Sequence, residues 1–179
     1  MKELNVIEIE ARSFITEEQF NQLLDYMKQN AKFLGEDNQI SYYFSGPTDL
    51  RIQKCDTYAK LWLKKGKIHD KHREEIEIKF DREDFDKLEK LLNVLGYEVE
   101  IKWFRDRKRF NWNGIKVTLD YTKGYGYIIE LEKLVSRGEE KIYRQLEDKL
   151  KSLGIEITPK EVFGKKFNHY KKNWRSLTS

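Results

Sequence analysis

Long stretches of the chain alternate between apolar and polar residues with a period of two, which is the pattern of strands that bury one face. The alternation predicts an α+β fold with about eight strands. These predicted strands cover residues 4–14, 40–46, 49–54, 58–65, 73–80, 97–112, 115–122 and 126–134. Between two of them, Asn113-Gly114 is a strong hairpin signal because both residue types tolerate positive φ.

Helical signals punctuate the strands. The predicted helices lie at about 16–31, 82–94, 136–153 and from 158 onwards. Two of them open on the capping-box pattern, Thr16 with Gln19 and Ser136 with Glu139, and a third is expected to start at a cap on Asp81. No linker or repeat interrupts the chain, so we expect a single domain over residues 1–179 that includes a C-terminal helical segment at about 137–175.

One face of nearly every predicted strand carries ionised side chains. In the first strand Glu8, Glu10 and Arg12 share a face. Later strands place on one face Arg51 and Gln53; Lys60, Trp62 and Lys64; Arg73, Glu75, Glu77 and Lys79; Arg105 and Arg107; Lys116, Thr118 and Asp120; and Glu130 and Glu132. A sheet with one wet face explains the alternation. If the sheet instead closes, the charges line an interior, where they must pair or bind ions.

Such a lining suits a metal and a polyanion. The pairs Glu8/Glu10 and Glu130/Glu132, with Asp120 as a fifth acid, supply the oxygen ligands that Mg²⁺ prefers. Arginine contacts phosphate oxygens in pairs and lysine acts as a point charge. Together these side chains favour an extended triphosphate and a phosphoryl or nucleotidyl transfer.

The composition of the chain argues against several classes of partner and of functional site. The net charge is +4, from 35 basic and 31 acidic residues, without the strong excess typical of a nucleic-acid binder, so no DNA partner is expected. The single cysteine, Cys55, excludes an internal disulfide, favours a cytoplasmic protein and is interpreted as a structural thiol. Three scattered histidines give no zinc signature. No apolar run approaches the roughly 20 residues of a membrane helix, and no glycine-rich phosphate loop is present.

Six segments in order then suggest a family. They are 8–12 (E-x-E-x-R), 42–51 (YY…LR), 61–64 (L-W-L-K), 73–77 (R-E-E-I-E), 105–110 (R-D-R followed by Phe) and 114–132 (G-I-K-V-T-L-D…G-Y-G-Y-I-I-E-L-E). They resemble the motifs of the CYTH domains, also called triphosphate tunnel metalloenzymes, over about residues 6–134. Three departures stand out, because Arg12 replaces the usual Lys, Gln53 replaces a second Arg, and Trp62 replaces a Thr.

The resemblance implies a closed eight-stranded antiparallel β-barrel, the triphosphate tunnel, with helices packed outside and with Mg²⁺ or Mn²⁺ as cofactor. The implied metal ligands are Glu8, Glu10, Asp120, Glu130 and Glu132. The implied phosphate ligands are Arg12, Arg51, Lys64, Arg73, Arg105 and Arg107. The implied catalytic residues are Arg12, Glu75 and Glu77, although an arginine does not readily give up its proton and is therefore not a base.

Two functions follow from the resemblance, and a third is suggested by the departures at Arg12 and Gln53. The leading one is a metal-dependent hydrolase of a triphosphate-containing small molecule, which is inorganic triphosphate, thiamine triphosphate or a nucleoside triphosphate. The second is an adenylate cyclase that makes cyclic AMP from ATP. The third is a non-catalytic module that binds polyphosphate, nucleotide or RNA, with RNA the less favoured ligand. No membrane partner is expected, and the protein is expected to be a monomer or a homodimer.

Overall fold

A computed structural model of the protein describes residues 7–64, 75–136 and 138–179. Its strands are β1 (Ile7–Ile15), β2 (Lys32–Phe44), β3 (Asp49–Lys54), β4 (Ala59–Lys64), β5 (Glu75–Phe80), β6 (Val99–Trp112), β7 (Ile115–Thr122) and β8 (Gly126–Val135). Its α-helices are α1 (Glu17–Asn30), α2 (Phe85–Val94), α3 (Glu139–Ser152) and α4 (Lys160–Leu177). The α+β fold is therefore confirmed, while the predicted strand residues 4–6, 65 and 73–74 lie outside the described ranges.

The strands form one antiparallel sheet in the order β1-β8-β7-β6-β2-β3-β4-β5. In the described residues β1 and β5 stand at the two ends of this order, so backbone hydrogen bonds do not close the sheet. The predicted eight-stranded antiparallel sheet is confirmed, and its closure into a barrel stays a prediction.

The chain divides into two compact units. The first comprises Met1–Glu36 and Arg107–Asn168, and the second comprises Asp37–Asp106 and His169–Ser179. In the first unit, helices α1 and α3 cover the apolar face of β1, β7 and β8. Val117 and Leu131 of the sheet and Met27 and Leu150 of the helices are fully buried in one cluster, and burial of each such side chain stabilises the fold by about 1.5–3 kcal/mol.

The second unit has its own core. Phe44, Ile52 and Ala59 of β2, β3 and the start of β4 pack with Phe85 and Leu92 of α2. The end of α4 docks through two buried aromatic side chains that also form hydrogen bonds. The Tyr170 hydroxyl donates to the Lys102 carbonyl oxygen at 2.8 Å, and the Trp174 indole N–H donates to the Glu100 carbonyl oxygen at 2.8 Å. An apolar body with a satisfied polar tip explains why these residues suit a helix that docks on a sheet.

Two local predictions are confirmed in atomic detail. The Gln19 backbone N–H donates to Thr16 Oγ1 at 3.1 Å, and the Thr16 backbone N–H donates to Gln19 Oε1 at 2.9 Å, which is a complete capping box. Between β6 and β7, Asn113 and Gly114 have φ values of 53° and 78°. Positive φ at both positions is what a type I′ hairpin turn requires.

Three local predictions are wrong. Asp81 makes no side-chain capping bond, because a 3₁₀ turn at Arg82–Asp84 precedes α2. Gly138, with a φ of 83°, is the N-cap of α3, so Ser136 lies too early to cap it. β2 begins at Lys32 rather than at residue 40, because strand pairing overrides the low strand propensity of its glycine, aspartate and asparagine.

Within the described ranges, no helix is both long enough and apolar enough to cross a bilayer.

Candidate functional site

Strand register gathers the predicted acids of the first unit on one face of β1, β8 and β7. Two cross-strand rows result, Glu10–Glu132–Lys116 and Arg12–Glu130–Thr118. Residues that pair across strands project to the same side of the sheet, opposite the helices α1 and α3. We name this surface the carboxylate face. It consists of Arg107 of β6, which bonds to Asp120, and of eight residues of β1, β7 and β8: Glu8, Glu10, Arg12, Lys116, Thr118, Asp120, Glu130 and Glu132.

Three ion pairs hold part of the carboxylate face. Arg107 donates from Nε to Asp120 Oδ1 at 2.9 Å and from Nη2 to Asp120 Oδ2 at 2.6 Å, and only 7% of the Asp120 side chain is exposed. Lys116 Nζ donates to Glu132 Oε2 at 2.6 Å. Arg12 Nε lies 3.3 Å from Glu10 Oε1. Glu8 and Glu130 form no ion pair with another described residue, so the carboxylates outnumber the cations that hold them.

Burial and the excess of negative charge raise the pKa of two acids on this face, Glu8 and Glu10. Burial raises the pKa of Glu10 from 4.5 to about 7, and repulsion from Glu130 adds to the shift. Burial also raises the pKa of Glu8, and repulsion from Glu132 adds to the shift. The face therefore retains protons near neutrality in the absence of a counter-ion.

For Arg107, attraction to a neighbouring carboxylate outweighs the effect of burial on the pKa. Burial acts to lower its pKa, but the hydrogen bonds and the charge of Asp120 outweigh burial and raise it. The guanidinium is thus a permanent cation on the carboxylate face, fixed in place by two strong hydrogen bonds.

The donor set on this face fits a hard divalent cation by chemistry. Carboxylate oxygens are the ligands that Mg²⁺ and Mn²⁺ take, and a divalent ion would offset the repulsion that, after burial, raises the pKa of Glu8 and Glu10. The side chains are not assembled around one point: among the described residues no three His, Cys, Asp or Glu side chains are grouped closely enough to hold a metal. A metal would therefore require the glutamates to turn toward one another.

We expect the raised pKa of Glu10 to make stability depend on pH. The folded protein binds more protons than the unfolded chain between pH 4.5 and about 7, so the free energy of unfolding falls as the pH rises through this window. Because 37% of the Glu10 side chain is exposed and screened, the expected fall is on the order of 1 kcal/mol. Urea denaturation at pH 5 and pH 8 with a chelator measures it.

The matched variant is Glu10→Gln, which cannot titrate and is expected to show a flatter pH dependence than the wild type. Added Mg²⁺ is expected to stabilise the wild type more at pH 8 than at pH 5, because metals bind the ionised acid. A wild type that loses no more stability than Glu10→Gln between pH 5 and pH 8 would contradict the pKa assigned to Glu10.

In the second unit, the predicted phosphate ligand Arg51 is tightly held. It donates from Nε and from Nη2 to the two carboxylate oxygens of Asp49, each at 2.6 Å, and from Nη1 to the Tyr43 hydroxyl at 3.2 Å. Its guanidinium also lies over the Tyr43 ring, 4.1 Å from the ring centre. Arg51 is therefore oriented before any ligand arrives, which lowers the entropic cost of binding.

Gln53, the departure next to Arg51, belongs to a buried polar network. Its amide donates to Ser41 Oγ at 2.8 Å and to Gln39 Oε1 at 3.3 Å, and Gln39 Nε2 donates to Asp37 Oδ2 at 2.8 Å. All four side chains are buried. Buried polar groups of this kind rigidify a core when their hydrogen bonds are satisfied. Gln53 therefore has a structural role at the position where the resemblance implies a phosphate-binding arginine.

The remaining predicted residues of the second unit are less fully defined. Glu77 accepts a 2.8 Å hydrogen bond from Lys60 Nζ. The Arg105 guanidinium lies 5.8 Å from the centre of the Trp103 ring. Lys64 and Glu75 pair across β4 and β5 in the backbone register, but their side chains lie outside the described part of the structure. Arg73 lies wholly outside it.

Two residues of the carboxylate face are additions to the predicted ligand list. Lys116 neutralises Glu132, and Thr118 is 1% exposed with a hydroxyl that has no hydrogen-bond partner within the described ranges. The alternation had placed both residues beside Asp120 on β7. The alternation does not predict the register between β7 and β8, which pairs Lys116 with Glu132 and Thr118 with Glu130.

Cys55 is expected to be unreactive in the folded protein. Its thiol is buried, and burial followed by repulsion from Asp37 raises its pKa to about 11, so little nucleophilic thiolate forms at neutral pH. We expect a disulfide reagent such as Ellman's to modify the native protein about 100-fold or more slowly than the protein in urea. Equal rates in both conditions would contradict the assignment of Cys55 as a structural thiol.

Comparison with known proteins shows to which family the chain belongs. The family model described as CYTH domain matches residues 6–161. The chain belongs to the CYTH domain family. The family match confirms the resemblance. It also continues past residue 134, where the resemblance ends, and includes helix α3.

Individual relatives agree with this assignment. A protein of Methanocaldococcus jannaschii named "Putative adenylate cyclase" is 29% identical over 163 residues, which is 84% of this chain and 91% of the relative. The solved structure of the PH1819 protein of Pyrococcus horikoshii is 28% identical, has a TM-score of 0.66 and covers 84% of this chain and 92% of its own. A Vibrio parahaemolyticus structure described as a "putative adenylate cyclase" has a TM-score of 0.64 at 16% identity, covering 88% of this chain and 98% of its own, so it supports the fold alone.

Proposed function

We propose that this CYTH protein is a metal-dependent enzyme that hydrolyses a small molecule carrying a triphosphate group. The observation that carries the proposal is the excess of carboxylates on the carboxylate face, where burial and mutual repulsion raise the pKa of Glu10 to about 7. Isolated buried charge is strongly unfavourable, so an arrangement of this kind suits a site that is completed by a divalent cation.

Within this proposal, Glu8, Glu10, Glu130 and Glu132 hold Mg²⁺ or Mn²⁺. Asp120 has a double role, because its carboxylate already accepts both hydrogen bonds from Arg107. A bound divalent cation supplies charge neutralisation of the phosphate oxygens and orientation of the reacting group. The chain's task is to offer carboxylate oxygens on one face of the sheet, to which the pairing of β1 with β8 brings Glu10, Glu130 and Glu132.

Cations on the same face would contact phosphate oxygens. Arg107 is fixed by Asp120 and offers its remaining N–H groups. Arg12 lies beside Glu10 and over the Phe163 ring, 4.7 Å from the ring centre. Since Arg12 cannot act as a base, we assign it charge stabilisation of the phosphoryl group rather than activation of water.

In the second unit, the phosphate-binding roles of Arg51, Lys64, Arg73 and Arg105 and the catalytic roles of Glu75 and Glu77 are parts of the same proposal, carried over from the resemblance. Closure of the sheet into a triphosphate tunnel also belongs to it. Of these residues Arg51 has the firmest support, because Asp49 and Tyr43 already orient its guanidinium.

A second candidate function is that of an adenylate cyclase. It is favoured by the M. jannaschii relative, which is named a putative adenylate cyclase and is 29% identical to this chain. A cyclase needs the same metal and phosphate contacts as a hydrolase, together with a pocket for the base and a ribose hydroxyl in position to attack the α-phosphate.

The test is a product assay that resolves orthophosphate, pyrophosphate and cyclic AMP. The purified protein is incubated with ATP, inorganic triphosphate and thiamine triphosphate, each with Mg²⁺, with Mn²⁺ and with a chelator. Metal-dependent release of orthophosphate supports the hydrolase. Pyrophosphate together with cyclic AMP transfers the assignment to the cyclase, and binding without turnover of any of the three overturns both enzymatic proposals.

A further inference from the structure

Trp62 stands in a row of residues that the resemblance associates with ligand binding. On the sheet of the second unit it lies opposite Arg51 of β3 on one side and Glu77 of β5 on the other. Cross-strand partners share a face, so the indole projects to the same side as the cation predicted to hold phosphate. The residue usual at this position is a threonine, and the exchange introduces a large aromatic donor.

Cations already cover the Trp62 ring. Lys60 Nζ lies 4.3 Å from a Trp62 ring centre, and the Arg51 guanidinium carbon lies 5.4 Å from it. Such cation–π contacts occupy the ring faces, and only 8% of Trp62 is exposed. The indole is thus poorly placed to stack on a base, and the part of it that remains for recognition is the N–H group at its edge.

The Trp62 N–H is a buried donor that forms no hydrogen bond with any described residue. Nε1 is shielded from water and has no hydrogen-bond partner in the part of the chain that the structure describes. An unsatisfied buried donor is unfavourable, and it is rare enough in folded proteins to require an explanation. A ligand atom that accepts this hydrogen bond would recover the lost energy as binding affinity.

We propose that the Trp62 indole N–H is a phosphate-binding group, which donates to an oxygen of the substrate's triphosphate between Arg51 and Lys60. An indole N–H only donates, so its partner is an acceptor, and two adjacent cations favour an anionic one. The N–H is shielded, so the oxygen reaches it only when a neighbour moves. Lys60 is a long flexible chain, held by its ion pair with Glu77, and is the neighbour suited to that movement.

This role also accounts for the neighbouring departure at Gln53. The amide of Gln53 is committed to Ser41 and Gln39, so it adds no contact to a phosphate. Trp62 would supply a neutral donor in the same unit where the second arginine is missing. The inference rests on the proposed function, because it assumes that the ligand carries a triphosphate.

The experiment compares the wild type with Trp62→Phe, which keeps an aromatic ring and removes the N–H. Trp112→Phe is the matched control, because Trp112 is equally buried in the apolar cluster of the first unit. Calorimetric titration with inorganic triphosphate and with ATP is expected to give about 3- to 10-fold weaker binding of both ligands by Trp62→Phe. Trp112→Phe is expected to bind like the wild type.

A second measurement does not depend on the folding of a variant. In a ¹H–¹⁵N spectrum of the wild type, the Trp62 indole resonance, assigned through bonds, is expected to shift downfield on addition of inorganic triphosphate. A shift with ATP alone would place the N–H against the organic part of the ligand and overturn a phosphate contact. Equal affinities and an unmoved resonance would also overturn it. A wild type that binds neither ligand would overturn the proposed function and this inference with it.

Discussion

Substitution of Glu10 by glutamine is expected to lower metal-dependent turnover by about 100-fold or more, because a glutamine oxygen is neutral and a poor ligand for a hard cation. The fold should survive, since the side chain is partly exposed and its ion pair with Arg12 is long at 3.3 Å. Without metal, Glu10→Gln should be at least as stable as the wild type at pH 8, because it removes one of the repelling charges behind the raised pKa of Glu10. Steady-state kinetics and thermal unfolding with and without Mg²⁺ measure both effects.

The control for this substitution is Glu140→Gln, which makes the same chemical change on helix α3. Glu140 is 81% exposed and pairs with Arg144 across one helical turn, so turnover and metal-induced stabilisation should match those of the wild type. Wild-type turnover in Glu10→Gln would remove the carboxylate face from the metal site. A loss of turnover that is accompanied by a large loss of stability in chelator would show that Glu10 is needed for folding rather than for metal.

The carboxylate face could be anticipated from the sequence because its information is local. Alternation with a period of two assigns Glu8, Glu10 and Arg12 to one side of a strand, whatever the strand pairs with. The hairpin at Asn113-Gly114 then fixes that β6 and β7 are neighbours. The family motifs add the expectation that the acids of β1, β7 and β8 act together, and register brings Glu10 opposite Glu132.

Pairing between side chains could not be anticipated in the same way. The two hydrogen bonds from Arg107 to Asp120 join residues thirteen positions apart, and the motifs assign one of these residues to phosphate and the other to metal. The network of Gln53 with Ser41 and Gln39 likewise depends on strand β2, whose first half has weak strand propensity and was missed. Such contacts depend on register and rotamers, which alternation does not encode.

Substitution of Asp120 by alanine is expected to lower the free energy of unfolding by about 3 kcal/mol, a larger loss than for any other carboxylate of this face. The Asp120 side chain is 7% exposed and the Arg107 side chain 20%, so removal of the carboxylate leaves a buried guanidinium without its two hydrogen bonds. Raising the pH does not relieve the cost, because arginine stays protonated. Urea denaturation at pH 7 in the presence of a chelator measures the loss without any contribution from metal.

The double variant with Arg107→Met and Asp120→Ala separates this effect from a loss of packing. Because an apolar pair often replaces a buried ion pair at little cost, the double variant should be more stable than Asp120→Ala alone. A double-mutant cycle, which compares the wild type, the two single variants and the double variant, should give a coupling energy above about 1 kcal/mol between Arg107 and Asp120. The exposed pair of Glu140 with Arg144 is the control, with an expected coupling below about 0.5 kcal/mol. Equal coupling energies for the two pairs would show that the ion pair of Asp120 with Arg107 does not stabilise the fold. The Asp120 carboxylate would then be as available to a metal as those of Glu8 and Glu130.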